Sequence, residues 1–311
     1  MHRVLSDPPL VTIAGPTGSG KSQLALQVAE NFGGEVVNCD SLQLYRGFDV
    51  GTAKIASAER GGVPHHMLDV LTPSQGYSAG EYARNAREVI REISQRGHLP
   101  IITGGTGFYL NALLNGLPQL PERDPSLRVR LAAREARRPG ILHRLLTRLE
   151  PAASARIHAR DVQKIIRALE VRVLTHHALP PPGAAEPLRG YRMLKIGLNP
   201  PRERLHELLD ARAREMFRSG LIEEVQNLLA NGCTGNEKPF ESLGYKQALQ
   251  YLRGEIGLDQ AIASTQLETR QYAKRQWTWF RRDAEIIWLP GFGGSSDVVR
   301  ECLELVRKFI S

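Results

Sequence analysis

Short apolar runs alternate with longer amphipathic stretches through the first third of the chain. Leu10–Ala14 reads as a buried strand. From Ser22 to about Asn31 the apolar positions recur with a helical period, and Gly33-Gly34 supplies a stop. Glu35–Asn38 is a second short strand, ending at Cys39-Asp40-Ser41. Ser78 and Glu81 stand at the S-x-x-E spacing of a capping box, which predicts a helix over Glu81–Arg96. Leu99–Thr103 is a third buried strand, followed by Gly104-Gly105-Thr106-Gly107 and an apolar helix near Phe108–Leu114. Buried strands alternating with helices predict an α/β fold, a P-loop-type doubly wound parallel sheet. Ligands of such sheets bind beyond the carboxyl ends of the strands. Three segments fall there: 15–22, 40–43 and 104–107.

The pattern changes at Leu117-Pro118. From there to Pro187 no strand-like run occurs, only Arg- and Ala-rich helical sequence closed by the breaker Pro180-Pro181-Pro182-Gly183. This predicts a helical insertion domain over residues 120–188, within a core domain of residues 1–119 and 189–311. Tyr191–Leu198 alternates and returns the chain to the sheet. Leu205, Leu208, Leu209, Met216 and Phe217 then stand at helical spacing. Ser264–Arg282 reads as a long basic helix, Ile286–Leu289 as a last strand and Asp297–Ile310 as a terminal helix.

The first rim segment carries the sharpest chemistry. Gly15, Pro16, Thr17, Gly18, Ser19, Gly20, Lys21 and Ser22 match G-x-x-x-x-G-K-[ST], in the required order of strand, loop and helix. Glycines let backbone N–H groups turn toward phosphate oxygens, and the helix N-terminus favours an anion. Lys21 adds a point charge and the Ser22 hydroxyl suits Mg²⁺. The loop therefore predicts a bound polyphosphate or diphosphate, without saying which. Asp40, the first carboxylate past the second strand, accepts a proton from a nucleophile, holds a metal through water, or else caps a turn. The glycines around Thr106 either admit a ligand or make a tight strand-to-helix turn. His65-His66 has no carboxylate or cysteine at metal spacing and reads as structural.

Composition narrows the class. With 41% hydrophobic and 24% charged residues the chain is globular, and no run approaches the ~18–20 apolar residues of a membrane span. The first nine residues lack an apolar signal region. Cys39, Cys233 and Cys302 are odd in number and far apart, which fits neither a disulfide framework nor a zinc site and points to a reducing cytoplasm. The net charge of +8 is unevenly spread: residues 121–187 hold 13 Lys/Arg against 7 Asp/Glu, and residues 270–282 hold five cations and no acid. Two basic zones point to a polyanion larger than a nucleotide. In the second zone Arg270, Lys274, Thr278 and Arg281 share a helical face, interleaved with Trp277, Trp279 and Phe280. That pattern suits phosphates and stacked bases, or else a core-facing aromatic stripe with snorkelling arginines.

Taken in order, these segments resemble the tRNA dimethylallyltransferase (tRNA isopentenyltransferase) family, in its bacterial form, along nearly the whole chain. The matching stretches are Gly15–Ser22, Asp40–Tyr45, Asp49–Lys54, Pro64–Asp69, Gly104–Tyr109, Leu243–Gln247 and Lys274–Arg281. Gly18 and Ser22 stand where the family more often has Ala and Thr, and the eukaryotic zinc finger is missing. The resemblance implies transfer of a dimethylallyl group from dimethylallyl diphosphate to the exocyclic amine of the adenine 3′ of the anticodon, in tRNAs reading codons that begin with U. Asp40 would be the general base, with Lys21 and Thr106 also catalytic, and Ser22 the Mg²⁺ ligand. Contacts to the tRNA anticodon stem-loop are implied for Asp40, Ser41, Leu42, Gln43, Thr106, Arg128, Gln163, Lys164, Ile165, Ile166 and Arg167. They are implied equally for Glu241, Ser242, Leu243, Gly244, Tyr245, Lys246, Lys274, Arg275, Gln276, Trp277, Thr278, Trp279, Phe280 and Arg281. Arg212 fits the family pattern as a residue facing the diphosphate. A cytoplasmic, nucleotide-binding monomer with no membrane contact is expected. A P-loop small-molecule kinase and an adenylate isopentenyltransferase are the alternatives, and neither accounts for the basic zones.

Overall fold

The apolar runs form strands of one sheet in a computed structural model that describes residues 7–181 and 185–311. Pro182 and Gly183 of the expected breaker, and the first six residues, lie outside the described residues. The strands are β1 (Pro9–Ala14), β2 (Gly34–Asn38), β3 (His65–His66), β4 (Leu99–Thr103), β5 (Arg192–Leu198) and β6 (Ile287–Leu289). All pairings are parallel, in the order β3-β2-β4-β1-β5-β6. The chain leaves β1 toward one edge, returns with β4, and then crosses to the other side of β1 with β5. The carboxyl end of β1 thus lies where the winding reverses, the place at which such sheets bind ligands.

Helices α1 (Lys21–Phe32), α2 (Ala79–Gln95), α3 (Gly107–Asn115), α8 (Arg202–Arg218), α9 (Leu221–Ala230), α10 (Tyr245–Leu252), α11 (Leu258–Phe280) and α12 (Ser296–Ile310) complete this unit. Neighbouring strand residues feed opposite faces. Val11, Ile13, Val36, Ile101 and Ile196 pack with Leu24 and Val28 of α1 and Val298, Cys302 and Val306 of α12. Leu10, Val37 and Ile102 pack with Tyr82, Ile90, Leu113, Leu221 and Tyr245 on the other side. A parallel sheet covered on both faces needs such unbroken apolar strands, and each fully buried aliphatic side chain contributes about 1.5–3 kcal/mol. The capping box forms as expected: Glu81 N–H donates to Ser78 Oγ (3.2 Å) and Ser78 N–H to Glu81 Oε2 (2.8 Å).

Two elements differ most from the sequence expectation. β3 arises at His65-His66, where no apolar pattern marks a strand, because its backbone pairs with Val36 and Val37 of β2. The basic helix α11 begins at Leu258 rather than Ser264 and ends at Phe280, so Arg281 and Arg282 lie in the turn beyond it.

Residues Asn115–Pro187 form a second compact unit. It contains α4 (Pro125–Arg137), α5 (Ile141–Leu149), α6 (Pro151–Arg156) and α7 (Val162–Thr175). Its own core joins Leu127, Leu131, Leu142, Leu146, Ile165, Ile166 and Leu169. Asp124 caps α4 by accepting from Leu127 N–H (2.9 Å), and Asp161 caps α7 by accepting from Lys164 N–H (3.3 Å).

Candidate active site

The loop from β1 to α1 is built to hold an anion. Gly20, at φ 86° and ψ 19°, makes the left-handed entry to α1 that a side chain would resist. The N–H groups of Gly18, Gly20, Lys21, Ser22 and Gln23 find no protein acceptor among the described residues. They are the free donors of a helix start and its preceding turn, where an anion is favoured. Lys21 Nζ donates to Pro16 O at 2.7 Å, which folds its ammonium back over the loop. Burial pushes its pKa down to about 8, Asp40 opposes that shift, and Arg212 adds to it. The loop after β6 braces this cradle from behind, with Gly293 N–H donating to Ser19 O at 2.8 Å.

Asp40 stands across from the loop. The cleft between them has a volume of about 270 Å³, and its lining includes Thr17, Lys21, Ser22, Asp40, Gln43 and Arg212. Asp40 N–H donates to Asn38 Oδ1 (3.1 Å), and Asp40 Oδ1 accepts from Leu42 N–H (3.0 Å). The turn aspartate and the cleft carboxylate are therefore one residue: one oxygen holds the turn and fixes the side chain. Its charge acts on four neighbours, adding to the burial that pushes up the Cys39 thiol. It raises the pKa of Lys21, opposes the burial that lowers the Arg212 guanidinium, and adds to the burial that raises the Tyr272 phenol. One carboxylate facing two half-buried cations is an arrangement that binds a highly charged anion beside a proton acceptor.

Thr106 is tied to the Asp40 turn, while Gly104 and Gly105 line the cleft. Thr106 Oγ1 accepts from Ser41 N–H (3.0 Å) and Thr106 N–H donates to Cys39 O (3.2 Å). The threonine thus ties the end of β4 to the Asp40 turn and is not part of the cleft lining. Neither glycine has room for a side chain. A Cβ on Gly104 would lie 2.2 Å from the Cys39 carbonyl group, and one on Gly105 would lie 2.2 Å from Gln276 Nε2. Close approach of the protein's own backbone and side chains accounts for both.

The other expected positions divide by burial. Glu241, Lys246, Lys274, Arg275, Thr278, Trp279 and Arg281 are exposed, while Gly244, Tyr245, Gln276 and Phe280 are buried and present little surface to any ligand. Tyr245 works inward: its hydroxyl donates to Glu224 and accepts from Gly51 N–H (3.1 Å), while Glu224 also holds Val50 N–H (2.9 Å). The Asp49–Lys54 loop is thereby fixed. Its Lys54 is buried between Asp49 and Asp69, each at 2.6 Å. On α11, Arg270 is paired with Asp210 rather than free. Lys274, Trp277, Thr278 and Arg281 instead line a second groove with Asn199 and Arg202.

In the helical unit Gln163 and Lys164 are exposed, and Ile165 and Ile166 are core residues. Arg128, Gln163 and Arg167 form one network. Buried Glu170 accepts from Arg128 (3.2 Å) and Arg167 (2.6 Å), and Arg128 also donates to Gln163 Oε1 (3.0 Å). Three residues of the catalytic cleft and its rim carry little local signal: Asn38, Tyr272 and Gly293. Only Asn38 has one, as a polar end to an apolar strand. Its amide donates to Asp40 O (3.1 Å) and Met67 O (2.8 Å).

The profile of the IPP transferase family matches residues 43–283. A tRNA dimethylallyltransferase of Solibacter usitatus is 56% identical over 304 residues, covering 97% of this chain and 99% of the relative. One from Koribacter versatilis is 49% identical over 97% of this chain and 99% of its own. Among solved structures, the full-length tRNA isopentenylpyrophosphate transferase of Bacillus halodurans superposes with a TM-score of 0.73 at 35% identity, covering 97% of this chain and 96% of that one. A eukaryotic dimethylallyltransferase acting on tRNA gives a TM-score of 0.81 at 26% identity, over 97% of this chain and 79% of that one.

Proposed function

The chain belongs to the IPP transferase family, and on that premise we propose that it transfers a dimethylallyl group from dimethylallyl diphosphate to the exocyclic amine of the adenine 3′ of the anticodon, in tRNAs reading codons that begin with U. The observation that carries this reading is the cleft in which a phosphate cradle and two half-buried cations face a single fixed carboxylate. In the reaction the allylic C–O bond breaks, the electron pair leaves with diphosphate, and a C–N bond forms at the adenine amine. Charge builds on the diphosphate, where the open loop amides, Lys21 and Arg212 stabilise it. The amine becomes acidic as its lone pair is used, and Asp40 takes the proton. Because the target base is stacked in the anticodon loop, it enters flipped out.

Mg²⁺ fits this donor set. No group of three or more acidic, His or Cys side chains that could hold a metal exists among the described residues. Ser22 lines the cleft with a hydroxyl, and Mg²⁺ is commonly held by one protein oxygen together with substrate phosphates and water. When bound, Mg²⁺ supplies charge neutralisation to the leaving diphosphate. Thr106 acts through the Asp40 turn rather than on substrate. The exposed cations of α11 and the Arg128–Arg167 network bind the phosphates of the anticodon stem-loop. We place the enzyme in the cytoplasm as a monomer, and no described helix is long and apolar enough to cross a membrane.

The test is direct. Labelled dimethylallyl diphosphate and Mg²⁺ are incubated with the protein and unmodified tRNA, AMP or ATP. Label entering tRNA alone is expected. Label in AMP points to a cytokinin-type transferase, ATP turnover without prenyl transfer points to a kinase, and either outcome overturns the proposal.

A further inference from the structure

Gln276 lies on α11 among residues whose exposed neighbours, Lys274 and Arg275, suit nucleic acid, yet it is 5% exposed. Both ends of its amide are held within the protein. Oε1 accepts from Thr17 N–H at 2.7 Å, and Nε2 donates to Gly105 O at 2.8 Å. Thr17 belongs to the phosphate loop after β1, and Gly105 to the loop after β4. The two partners fix the orientation of the amide, because a backbone N–H only donates and a backbone carbonyl only accepts. Gly105 is shaped to it, since a Cβ there would lie 2.2 Å from Nε2 and 3.9 Å from Lys21 Nζ. One turn earlier on the same helix, Tyr272 lies within reach of both Thr106 and Gln276.

From this geometry we infer that Gln276 is a positioning residue that clamps the phosphate loop to the β4 loop and so sets the shape of the diphosphate cradle, rather than a contact for tRNA. The inference rests on the reading that diphosphate occupies the loop at residues 15–22. With Thr17 N–H taken by Gln276, the donors left to the anion are those of Gly18, Gly20 and the first turn of α1. Thr106 and Gly105 belong to one short loop, so the clamp also fixes the segment that holds Ser41 beside Asp40. Both halves of the cleft, the leaving-group side and the proton-accepting side, are thereby referenced to a single amide on the helix that carries the tRNA-facing cations. A glutamine is required: leucine offers neither bond, and glutamate keeps the acceptor for Thr17 but sets a second oxygen against the Gly105 carbonyl.

The experiment separates cradle from tRNA. Inorganic pyrophosphate with Mg²⁺ is titrated into the wild type and Gln276→Leu without tRNA, by calorimetry, and tRNA affinity is measured separately. Pyrophosphate affinity falls about tenfold, the scale of a buried donor left unpaired, while tRNA affinity stays within about twofold. In turnover the KM for dimethylallyl diphosphate rises and that for tRNA does not. Unchanged pyrophosphate binding, or a loss confined to tRNA, overturns the inference. If the wild type itself binds no pyrophosphate, the diphosphate reading of the loop fails instead. Gln276→Glu supplies an independent arm should the leucine variant fold poorly. Its turnover relative to wild type climbs as the pH drops from about 8 to about 6, because a buried carboxyl, once protonated, regains the donor for Gly105 O. A ratio that stays flat counts against the clamp.

Discussion

The catalytic cleft draws its partners from far apart in the chain, whereas the helical unit draws them from nearby. Thr17 meets Gln276 across 259 residues, and Gly51 meets Tyr245 across 194. In the helical unit, Glu170 holds Asp124 N–H across 46 residues and Arg167 across three. The cleft therefore exists only when the whole sheet has closed, since distant contacts must first overcome the entropy of long loops. The charged network around Glu170 depends only on its own segment. The two regions differ in kind to match: a few exactingly placed groups around a cleft in one, and arginines held by a buried carboxylate in the other.

Substitutions can break this comparison from either side. The largest effect is expected for Asp40→Ala, which lowers single-turnover prenyl transfer about 10²–10⁴-fold while tRNA affinity changes little. Equal losses in binding and rate would make Asp40 a positioning residue. Next comes Glu170→Gln, which weakens the hold on Arg128 and Arg167 and costs the helical unit about 1–3 kcal/mol. Hydrogen exchange should quicken over residues 115–187 while pyrophosphate binding in the cleft stays the same. Loss of pyrophosphate binding as well would show that the regions are not separable. Lys274→Ala is smaller: tRNA binding weakens and its logarithmic salt slope falls by about one, as expected for one lost phosphate contact. A constant slope means that α11 faces elsewhere.

The smallest effect tests an ion-pair cluster outside the cleft lining. Glu35, buried near the start of β2, is paired with His66 (2.6 Å), Arg96 (2.7 Å) and His98 (2.8 Å). Burial pushes its carboxyl up, but hydrogen bonds from Arg96 and His66 outweigh this and hold its pKa below the usual glutamate range. A depressed folded pKa gives stability that is complete above the unfolded value and is lost as pH falls through the folded one. Urea midpoints of the wild type should therefore drop through the acid range below about pH 4.5, near the ordinary glutamate pKa, more steeply than those of Glu35→Gln. Parallel acid limbs for the two proteins would remove Glu35 from the account.

Much of the sheet is legible in sequence because its strands are apolar on both faces. Leu99–Thr103 forms β4 with the expected boundaries, and β1 and β5 each differ by one residue at their start. β3 is not legible, because backbone pairing with β2, not hydrophobicity, makes His65-His66 a strand. The phosphate loop is legible for a similar local reason: strand, glycines and helix start are contiguous. The glycines at 104 and 105 are visible as cleft-lining positions, but the packing that demands them is not. Their spacing is equally consistent with an approaching ligand, and only the fold reveals Cys39 and Gln276 in that space. Burial divides the motif residues of α11 in the same way, since exposed Lys274 and buried Gln276 are two positions apart on one helix.

The borders of the sheet bear on how the protein behaves in a crowded solution. An edge strand offers unpaired backbone groups to which another chain can add, and short or charged edges blunt that risk. Here one edge strand is only two residues long and the other three. β6 covers only Ile196–Leu198 of β5, which leaves the earlier part of that strand without a neighbour on that side. Arg192 and Lys195 occupy this stretch. Arg192 bonds to the backbone at Asp7 and Phe309, and Lys195 is paired with Asp283 and Glu285. Strand addition by a second copy would have to displace these charges for a ledge a few residues long. The sheet that holds the cleft in this way offers little edge for strand addition.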